Sequence, residues 1–325
     1  MYLNSNWKQQ AVELARTGLS WRKVARELGK SKSTISDYLR VHYSDPVTKQ
    51  GDSSSTVLEQ PTDAARVLLI DIETSPLRSA TWGLWQQNVG LEMIETEWFI
   101  LSYSAKWLAD TPDKIMYKDM RGIVDTENDT HLLDDLWKLL DEADVVIGQN
   151  SKRFDTKKIN ARLIMNGYKP PSPYKQIDTL HIAKAQFGFT SNKLAWMTDK
   201  LCTTNKKLTH SKFSGFVLWK EMLLDNPEAW DECELYNKMD VLSLEELYLR
   251  MAAWDGKHPN FNLYTDKPEH VCRCGSKRVV ESGFAYTAKS KFQQYRCLDC
   301  GATTRNSVNL FDKDKRASLH SNVLN

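Results

Sequence analysis

The sequence lacks the features that mark membrane-spanning and secreted proteins. No apolar run approaches the roughly 18 residues that a transmembrane helix requires, and the polar segment Met1–Gln10 lacks the apolar core of a signal peptide. Cysteine is scarce, and four of the six cysteines lie close together near the C-terminus. That distribution favours a metal site over a disulfide framework. We therefore expect an intracellular, cytoplasmic protein that has no membrane partner.

A large net charge is also missing, since 44 Lys and Arg residues face 42 Asp and Glu residues, which gives +2. The charge is nevertheless unevenly distributed, because residues 1–60 carry +3, residues 61–255 carry −7 and residues 256–325 carry +6. Hydrophobic residues make up 41% of the chain, which excludes a disordered protein. The pattern indicates basic modules at both ends of an acidic middle segment, whose carboxylates serve a function within that segment.

Three short helices are predicted in the first basic segment. Apolar residues recur at helical spacing in Trp7–Thr17 and Trp21–Leu28, and Ser31 or Ser33 is positioned to cap a third helix. The segment Leu19–Leu39 resembles the helix-turn-helix of resolvases and sigma-like factors. The resemblance implies a DNA-binding surface, which consists of Lys30, Ser31, Lys32, Ser33, Thr34 and Asp37. A three-helix bundle that contacts protein is the alternative.

The middle segment, Ala65–Asp255, alternates strand patterns with helix patterns and predicts an α/β domain with a mixed sheet flanked by helices. The predicted strands are Arg66–Ile72, Glu97–Trp107, Lys114–Tyr117 and Asp144–Ile147. The predicted helices are Leu132–Glu142, Asp155–Met165, Thr179–Phe187, Lys193–Lys200 and Trp230–Trp254.

Two carboxylates interrupt the apolar run Val67–Thr74 at positions 71 and 73. Side chains two apart on a strand point the same way, so Asp71 and Glu73 share a face. Like charges side by side on a buried strand are costly unless a cation neutralises them, and oxygen ligands favour Mg²⁺ or Mn²⁺. Asp-x-Glu at an exposed strand end is the alternative.

Two further segments carry acidic residues, one at the start of a predicted helix and one on the face of another. Asp155 follows a predicted strand and a Gly/Asn turn at the start of a helix, and Tyr236 and Asp240 lie four apart on one helix face. Singly, Asp155 would also suit a helix cap and Asp240 an exposed surface. All of them together favour a shared site.

Together these motifs resemble the DEDD 3′→5′ exonucleases of the DnaQ-like, RNase H-like superfamily, over about residues 65–255. Asp71 and Glu73 match the first motif, Asp155 the second, and Tyr236 with Asp240 the third motif of the DEDDy branch, which includes the proofreading domains of family A and family B DNA polymerases. The resemblance implies two Mg²⁺ or Mn²⁺ ions. Asp71 would bridge them, Glu73 and Asp240 would hold the ion on the nucleophile side, Asp155 would hold the other, and Tyr236 would orient the attacking water.

Five nearby residues are open to more than one interpretation. Gln149 stands where many members of that family carry His, a change that we expect to be tolerated. Asp178 suits a structural cap better than a metal ligand. Trp82, Trp85 and Trp98 follow the first motif, and for at least two of them we expect core packing rather than stacking on nucleotides.

The clustered cysteines form two Cys-Gly knuckles. The segment from Cys272 to Gly301 resembles the zinc ribbons attached to insertion-element transposases. The resemblance implies one structural Zn²⁺ ion, with strands at Arg278–Glu281 and Gln293–Arg296. The first knuckle has Cys-x-Cys where Cys-x-x-Cys is usual, so His270 could replace one thiolate. The expected ligands are Cys272, Cys274, Cys297 and Cys300.

The sequence thus predicts five segments and one principal activity. The segments are a helix-turn-helix domain (1–43), a polar, flexible linker (44–64), an exonuclease domain (65–255), a zinc ribbon (256–310) with a basic surface suited to phosphates or, alternatively, to protein contact, and a loose tail (311–325). We expect a 3′→5′ exonuclease that acts on single-stranded DNA or 3′ ends in DNA repair or recombination, with a polymerase or a replication or recombination complex as a partner. A transposase-like strand-transfer enzyme and a non-catalytic DNA-binding regulator are the alternatives.

Overall fold

A computed structural model describes most of the chain and divides it into two compact units. One unit is Thr56–Pro259, and the other combines Met1–Ser55 with Asn260–Asn325. The described residues are 6–17, 21–31, 34–35, 38–39, 64–108, 110–123, 127–208, 212–265 and 270–321. Almost all of the predicted linker, residues 44–63, lies outside them. The five predicted segment boundaries stay predictions.

The N-terminal segment contains two described helices, α1 (Asn6–Arg16) and α2 (Trp21–Glu27), which confirms the first two helical predictions. Residues 34–35 and 38–39 are helical as well, and the remainder of the predicted third helix lies outside the described residues. A small core is formed by Ala11, Ala15, Val24, Ala25, Ile35 and Leu39. Its apolar side chains come from α1, α2 and the residues of the predicted third helix, as the helical spacing requires.

Five of the strands in the middle unit form one mixed sheet, in the spatial order fifth, fourth, first, sixth and seventh. The strands are β1 (Val67–Thr74), β2 (Arg78–Ser79), β3 (Ile94–Thr96), β4 (Ile100–Trp107), β5 (Met116–Asp119), β6 (Val145–Gly148) and β7 (Lys175–Asp178). β4 runs antiparallel to β1 and β5, whereas β1, β6 and β7 run parallel to one another. β1 therefore lies at the centre of the sheet, as its apolar sequence predicts.

Helices cover both faces of this sheet, so the predicted mixed α/β architecture is confirmed. On β4, Tyr103 points toward the helix Thr130–Glu142, where its hydroxyl donates to Asp135. Ser102 and Lys106 point to the opposite face, where they donate hydrogen bonds to Asn237 and Glu245 of the helix Pro227–Met251. The helices are α3 (Thr130–Glu142), α4 (Asp155–Met165), α5 (Thr179–Gln186), α6 (Leu194–Leu201), α7 (Val217–Leu223) and α8 (Pro227–Met251). Among the described residues, no helix combines the length and the apolar character that a bilayer span requires.

The C-terminal segment folds around a three-stranded antiparallel sheet, in which β9 (Ser290–Cys297) lies between β8 (Val279–Thr287) and β10 (Thr303–Asn309). β9 contains the predicted strand Gln293–Arg296, and β8 begins one residue later than the predicted strand Arg278–Glu281 and extends beyond its end. β10 was not predicted. A five-residue helix, α9 (Lys313–Ala317), lies within the segment that the sequence predicts to be a loose tail.

Candidate functional site

The acidic pair of the first motif lies on the central strand, on the face that α8 covers. Alternation along β1 sends Leu68, Ile70 and Ile72 into the hydrophobic core. Asp71 and Glu73 therefore point to the opposite face. The strand register pairs Glu73 with Ser102 of β4, whose hydroxyl bonds α8. A buried apolar strand thus holds two carboxylates rigidly beneath one helix.

The third-motif residues come from α8. Asn226 caps this helix, because its side chain accepts a hydrogen bond from the backbone N–H of Glu228, and Pro227 occupies the first turn. Asp240 is buried on α8. One ligand oxygen from each of Asp71, Glu73 and Asp240 lies within 4.8 Å of the others. The structure therefore brings together three of the four predicted carboxylates as a group able to hold a metal ion.

The fourth predicted carboxylate, Asp155, begins α4 and is also buried. Its Oδ1 accepts a hydrogen bond of 3.1 Å from the backbone N–H of Ile72, a residue of β1 that lies between Asp71 and Glu73. Asp155 does not belong to the group of three whose oxygens lie within 4.8 Å. Its charge is nevertheless close enough to Asp71 to raise the pKa of that carboxyl. Asp155 therefore lies at the edge of the acidic cluster.

Burial and mutual repulsion make this cluster a poor place for uncompensated negative charge. Burial first, and then the charges of Asp155, Asp240 and Glu73, raise the pKa of Asp71 well above its ordinary value. Burial and the charge of Asp240 raise the pKa of Glu73 to about 8, and burial raises the pKa of Asp155 to about 7. Hard carboxylate oxygens gathered in this way fit a divalent cation such as Mg²⁺ or Mn²⁺, whose charge would restore the ionised forms.

A lysine that sequence reasoning missed lies at the cluster. The Nζ of Lys207 contacts a carboxylate oxygen of Asp240 and lies 2.5 Å from the hydroxyl of Tyr236 and 4.1 Å from the centre of that ring. Its positive charge lowers the pKa values of Asp71 and Glu73, against the effect of burial. Lys207 comes from a loop 33 residues before Asp240, and nothing in the local sequence indicates this contact.

Two other side chains that the sequence did not reveal hold the acidic pair in place. Asn237 is buried, donates a hydrogen bond of 2.6 Å from Nδ2 to Asp71 Oδ2 and accepts one at Oδ1 from Ser102. The indole of Trp219, on α7, donates a hydrogen bond to Glu73. Asn237 follows Tyr236 in the third motif, and a polar residue among the inward positions of a helix was the available signal.

Asp178 and Gln149, two of the residues with more than one interpretation, have contacts of their own. Asp178 caps α5, since its side chain accepts hydrogen bonds from the backbone N–H groups of Leu180 and Asn150, which matches the predicted structural role. Gln149, which directly follows β6, accepts a hydrogen bond from Thr179 and donates one to the backbone of Asn192.

The three tryptophans after the first motif do not pack as expected. Trp82 is 97% exposed and Trp85 is 84% exposed, so the prediction that at least two of the three belong to the core is wrong. Trp98 is half-buried, and the Nζ of Lys158 lies 3.5 Å from the centre of its ring. The two exposed rings belong to the irregular segment between β2 and β3, and residue type alone does not reveal their exposure.

The four clustered cysteines form a second candidate metal site. Their sulfurs lie within 4.8 Å of one another, with 3.7 Å between Cys272 and Cys300 and 3.9 Å between Cys274 and Cys297. Sulfurs held about 2.3 Å from one tetrahedral Zn²⁺ ion stand about 3.8 Å apart. The Cys-x-Cys knuckle therefore brings both of its thiols to the group, and the cluster fits a zinc ribbon.

Glycines and one ion pair shape the two knuckles. Gly275 and Gly301 follow Cys274 and Cys300 with φ values of +92° and +75°, a conformation that favours glycine. Asp299 of the second knuckle accepts a hydrogen bond of 2.6 Å from Arg278, next to the first. His270 is exposed and is not a member of the cysteine group.

Only part of the predicted DNA-binding surface is described. Lys30, Ser31 and Thr34 are described, whereas Lys32, Ser33 and Asp37 lie outside the described residues. The hydroxyl of Ser31 accepts a hydrogen bond of 3.1 Å from the backbone N–H of Thr34, which is the contact expected of a helix cap.

The comparisons with known proteins concern the middle of the chain. The family model of the RNase H superfamily matches residues 108–252, a little under half of the chain. No curated protein matches the sequence. Among solved structures, the family B DNA polymerase from the hyperthermophilic archaeon Pyrobaculum calidifontis is similar, with a TM-score of 0.41 and 14% sequence identity. That similarity covers 58% of this chain and 25% of the polymerase chain. Residues 108–252, which include Asp155, Tyr236 and Asp240, are an RNase H-like superfamily domain.

Proposed function

We propose that the protein is a metal-dependent 3′→5′ exonuclease that hydrolyses phosphodiester bonds of DNA. One observation carries the proposal: half-buried Asp71 and Glu73 and buried Asp240 gather their oxygens within 4.8 Å, beside Tyr236, within an RNase H-like fold. A rigid group of hard oxygen ligands is what phosphoryl hydrolysis with divalent ions requires.

Asp71, Glu73, Asp155 and Asp240 would hold two Mg²⁺ or Mn²⁺ ions. When bound, such ions lower the pKa of water and neutralise the charge that develops on the phosphate. Asn237 keeps the carboxylate of Asp71 in one orientation through its 2.6 Å hydrogen bond. A supporting contact of this kind is a common requirement of metal sites.

Tyr236 would act as a neutral hydrogen-bonding group rather than as a base. Burial first, and then the charges of Asp240, Glu73 and Asp71, raise the pKa of its phenol well above the ordinary value. The phenol therefore keeps its proton at neutral pH. A protonated hydroxyl beside the carboxylates is suited to orienting the attacking water through a hydrogen bond.

The terminal modules would deliver this activity to its substrate. The predicted helix-turn-helix suits a B-form major groove, which favours DNA over RNA, and the cysteine cluster would hold one structural Zn²⁺ ion. Single strands or 3′ ends are the proposed substrates, in DNA repair or recombination. A polymerase or a replication or recombination complex is the proposed partner.

The test compares linear and circular DNA. The protein is incubated with 5′-labelled single-stranded DNA, recessed duplex and circular single-stranded DNA, with and without Mg²⁺ or Mn²⁺. Asp71→Ala is the inactive variant, and Asp113→Ala, which changes an exposed carboxylate of the same unit, is its control. We expect a metal-dependent ladder that shortens from the 3′ end, absent in Asp71→Ala, and intact circles.

Two results would contradict the proposal. Cleavage of the circles would indicate an endonuclease or a strand-transfer enzyme, since an exonuclease needs an end. Binding of DNA without hydrolysis under any metal condition would indicate a non-catalytic DNA-binding protein.

A further inference from the structure

We infer that one face of the C-terminal sheet binds single-stranded DNA by stacking bases on aromatic rings. On β8, Phe284 and Tyr286 lie two residues apart, and they pair with Gln293 and Lys291 of β9. Directly paired residues of antiparallel strands point to the same side. Tyr295, two residues after Gln293, extends the same row. Phe284, Tyr286, Lys291 and Tyr295 define what we call the aromatic face.

The two sides of this sheet differ in exposure, and the aromatic face is the more exposed side. Phe284 is 43% exposed and Tyr286 is 65% exposed on the aromatic face, whereas Phe292, on the opposite side, is only 9% exposed. The covered side supplies packing for the small sheet. The aromatic face leaves large apolar rings in water, which costs free energy and is typical of a binding surface.

A cation lies directly at the exposed rings. The Nζ of Lys291 is 3.7 Å from the centre of the Phe284 ring, so a base that stacks beside this pair would bring its phosphate close to a positive charge. The surroundings are basic as well, because residues 270–309 contain seven Lys and Arg residues and two carboxylates. One of those carboxylates, Asp299, is paired with Arg278. Rings interleaved with cations are the recognition pattern of single-stranded nucleic acid.

Exposed rings favour a single strand over a duplex as the ligand of this face. A duplex covers the faces of its bases by stacking, so only a single strand presents them to exposed rings. The inference rests on the proposed function in taking DNA as the ligand, and it adds a strand-binding surface that is separate from the acidic cluster and from the helix-turn-helix residues.

Binding is measured by fluorescence anisotropy on the full chain, in an Asp71→Ala background that prevents hydrolysis. The probes are labelled oligo(dT) of about 15 nucleotides, an abasic strand of the same length, oligo(rU) and a duplex. The test variant is Phe284→Ala/Tyr286→Ala. The matched control is Val308→Ala, which removes a 63% exposed apolar side chain of β10. Lys291→Ala removes the cation alone, and the zinc content and melting temperature of every variant are recorded.

We expect the double variant to bind oligo(dT) roughly tenfold more weakly or worse and to bind the abasic strand and the duplex as before. Lys291→Ala should weaken oligo(dT) and abasic binding alike, because it contacts phosphate, and Val308→Ala should change neither. Unchanged oligo(dT) binding by a zinc-loaded double variant, or an equal loss for the abasic strand, would overturn the inference. Tighter binding of oligo(rU) than of oligo(dT) through the same rings would overturn the assignment to DNA. Since hydrolysis by the unmodified protein is assayed separately, an inactive nuclease and an absent strand-binding face give different results.

Discussion

Replacing Glu73 by glutamine is expected to stabilise the metal-free protein while it removes the proposed nuclease activity. Burial, followed by the charge of Asp240, raises the pKa of Glu73 from 4.5 to about 8. The folded protein therefore binds this proton more tightly than the unfolded chain does. Stability that is present below the unfolded pKa is lost as the pH rises toward the folded pKa.

The size of the effect follows from the shift. At about 1.36 kcal/mol per pH unit, the rise from the unfolded pKa to about pH 7 costs the metal-free protein about 3 kcal/mol. Glutamine has the same shape and never ionises, so Glu73→Gln should recover this amount at neutral pH. For a unit of this size, that corresponds to a melting temperature roughly 6–12 °C higher.

Thermal melts between about pH 5 and about pH 8 measure the prediction, without divalent ions other than the zinc that copurifies and then with added Mn²⁺. The wild type should lose stability with rising pH, the variant should show a shallower slope, and Mn²⁺ should stabilise only the wild type. Glu92→Gln, at an exposed position of the same unit, serves as the control. A metal-free wild type that becomes more stable over this range, or a variant with the full wild-type slope, would refute the reasoning.

Four further changes test other parts of the structure. Lys207→Met removes the cation at the acidic cluster, so the metal-free protein should melt at a lower temperature and gain more from Mn²⁺ than the wild type, as followed by thermal melts with Lys206→Met as the control. Asn237→Ala removes a buried hydrogen bond to the first carboxylate of β1, and calorimetric titration should show Mn²⁺ affinity reduced by roughly tenfold or more. Cys297→Ala removes one of four clustered thiols, so elemental analysis should find less than one zinc per chain while Mn²⁺ still raises the melting temperature of the unit Thr56–Pro259. Trp82→Ala removes an almost fully exposed ring and should change the free energy of unfolding by no more than about 0.5 kcal/mol in urea titrations.

The elements that could be predicted are those in which the spacing of apolar residues indicates a buried strand or helix face. β1 is an apolar run with two acidic interruptions, and α4 spans the predicted Asp155–Met165. The elements that were missed have no such signal. β7 is the four-residue segment Lys175–Asp178, of which only Ile177 is apolar, and β10 is a mostly polar strand of a small exposed sheet. Their pairing with β6 and β9 decides their conformation, and pairing is a tertiary effect.

The residues of the candidate site likewise divide into those that local sequence patterns predict and those that they do not. Asp71, Glu73, Asp155 and Asp240 could be proposed because local patterns place each of them on a strand or a helix. Lys207 could not, since its contact with α8 depends on the path of a loop. The exposed rings of Trp82 and Trp85 were misjudged for a related reason: an aromatic residue is usually buried, and only the three-dimensional path of the segment shows that no core lies beside it.

The central strand explains why the acidic cluster depends on the whole sheet. The RNase H superfamily match begins at residue 108, after β1 and β4, so Asp71 and Glu73 lie outside it while Asp240 lies inside. Hydrogen bonds from Asn237 to Asp71 and from Ser102 to Asn237 connect the two parts. Because β1 pairs with β4 on one side and β6 on the other, its loss would remove two carboxylates and also divide the sheet. Positions that are costly to charge therefore lie on the strand that is paired on both sides, and this pairing can hold several carboxylates side by side where a cation would bind.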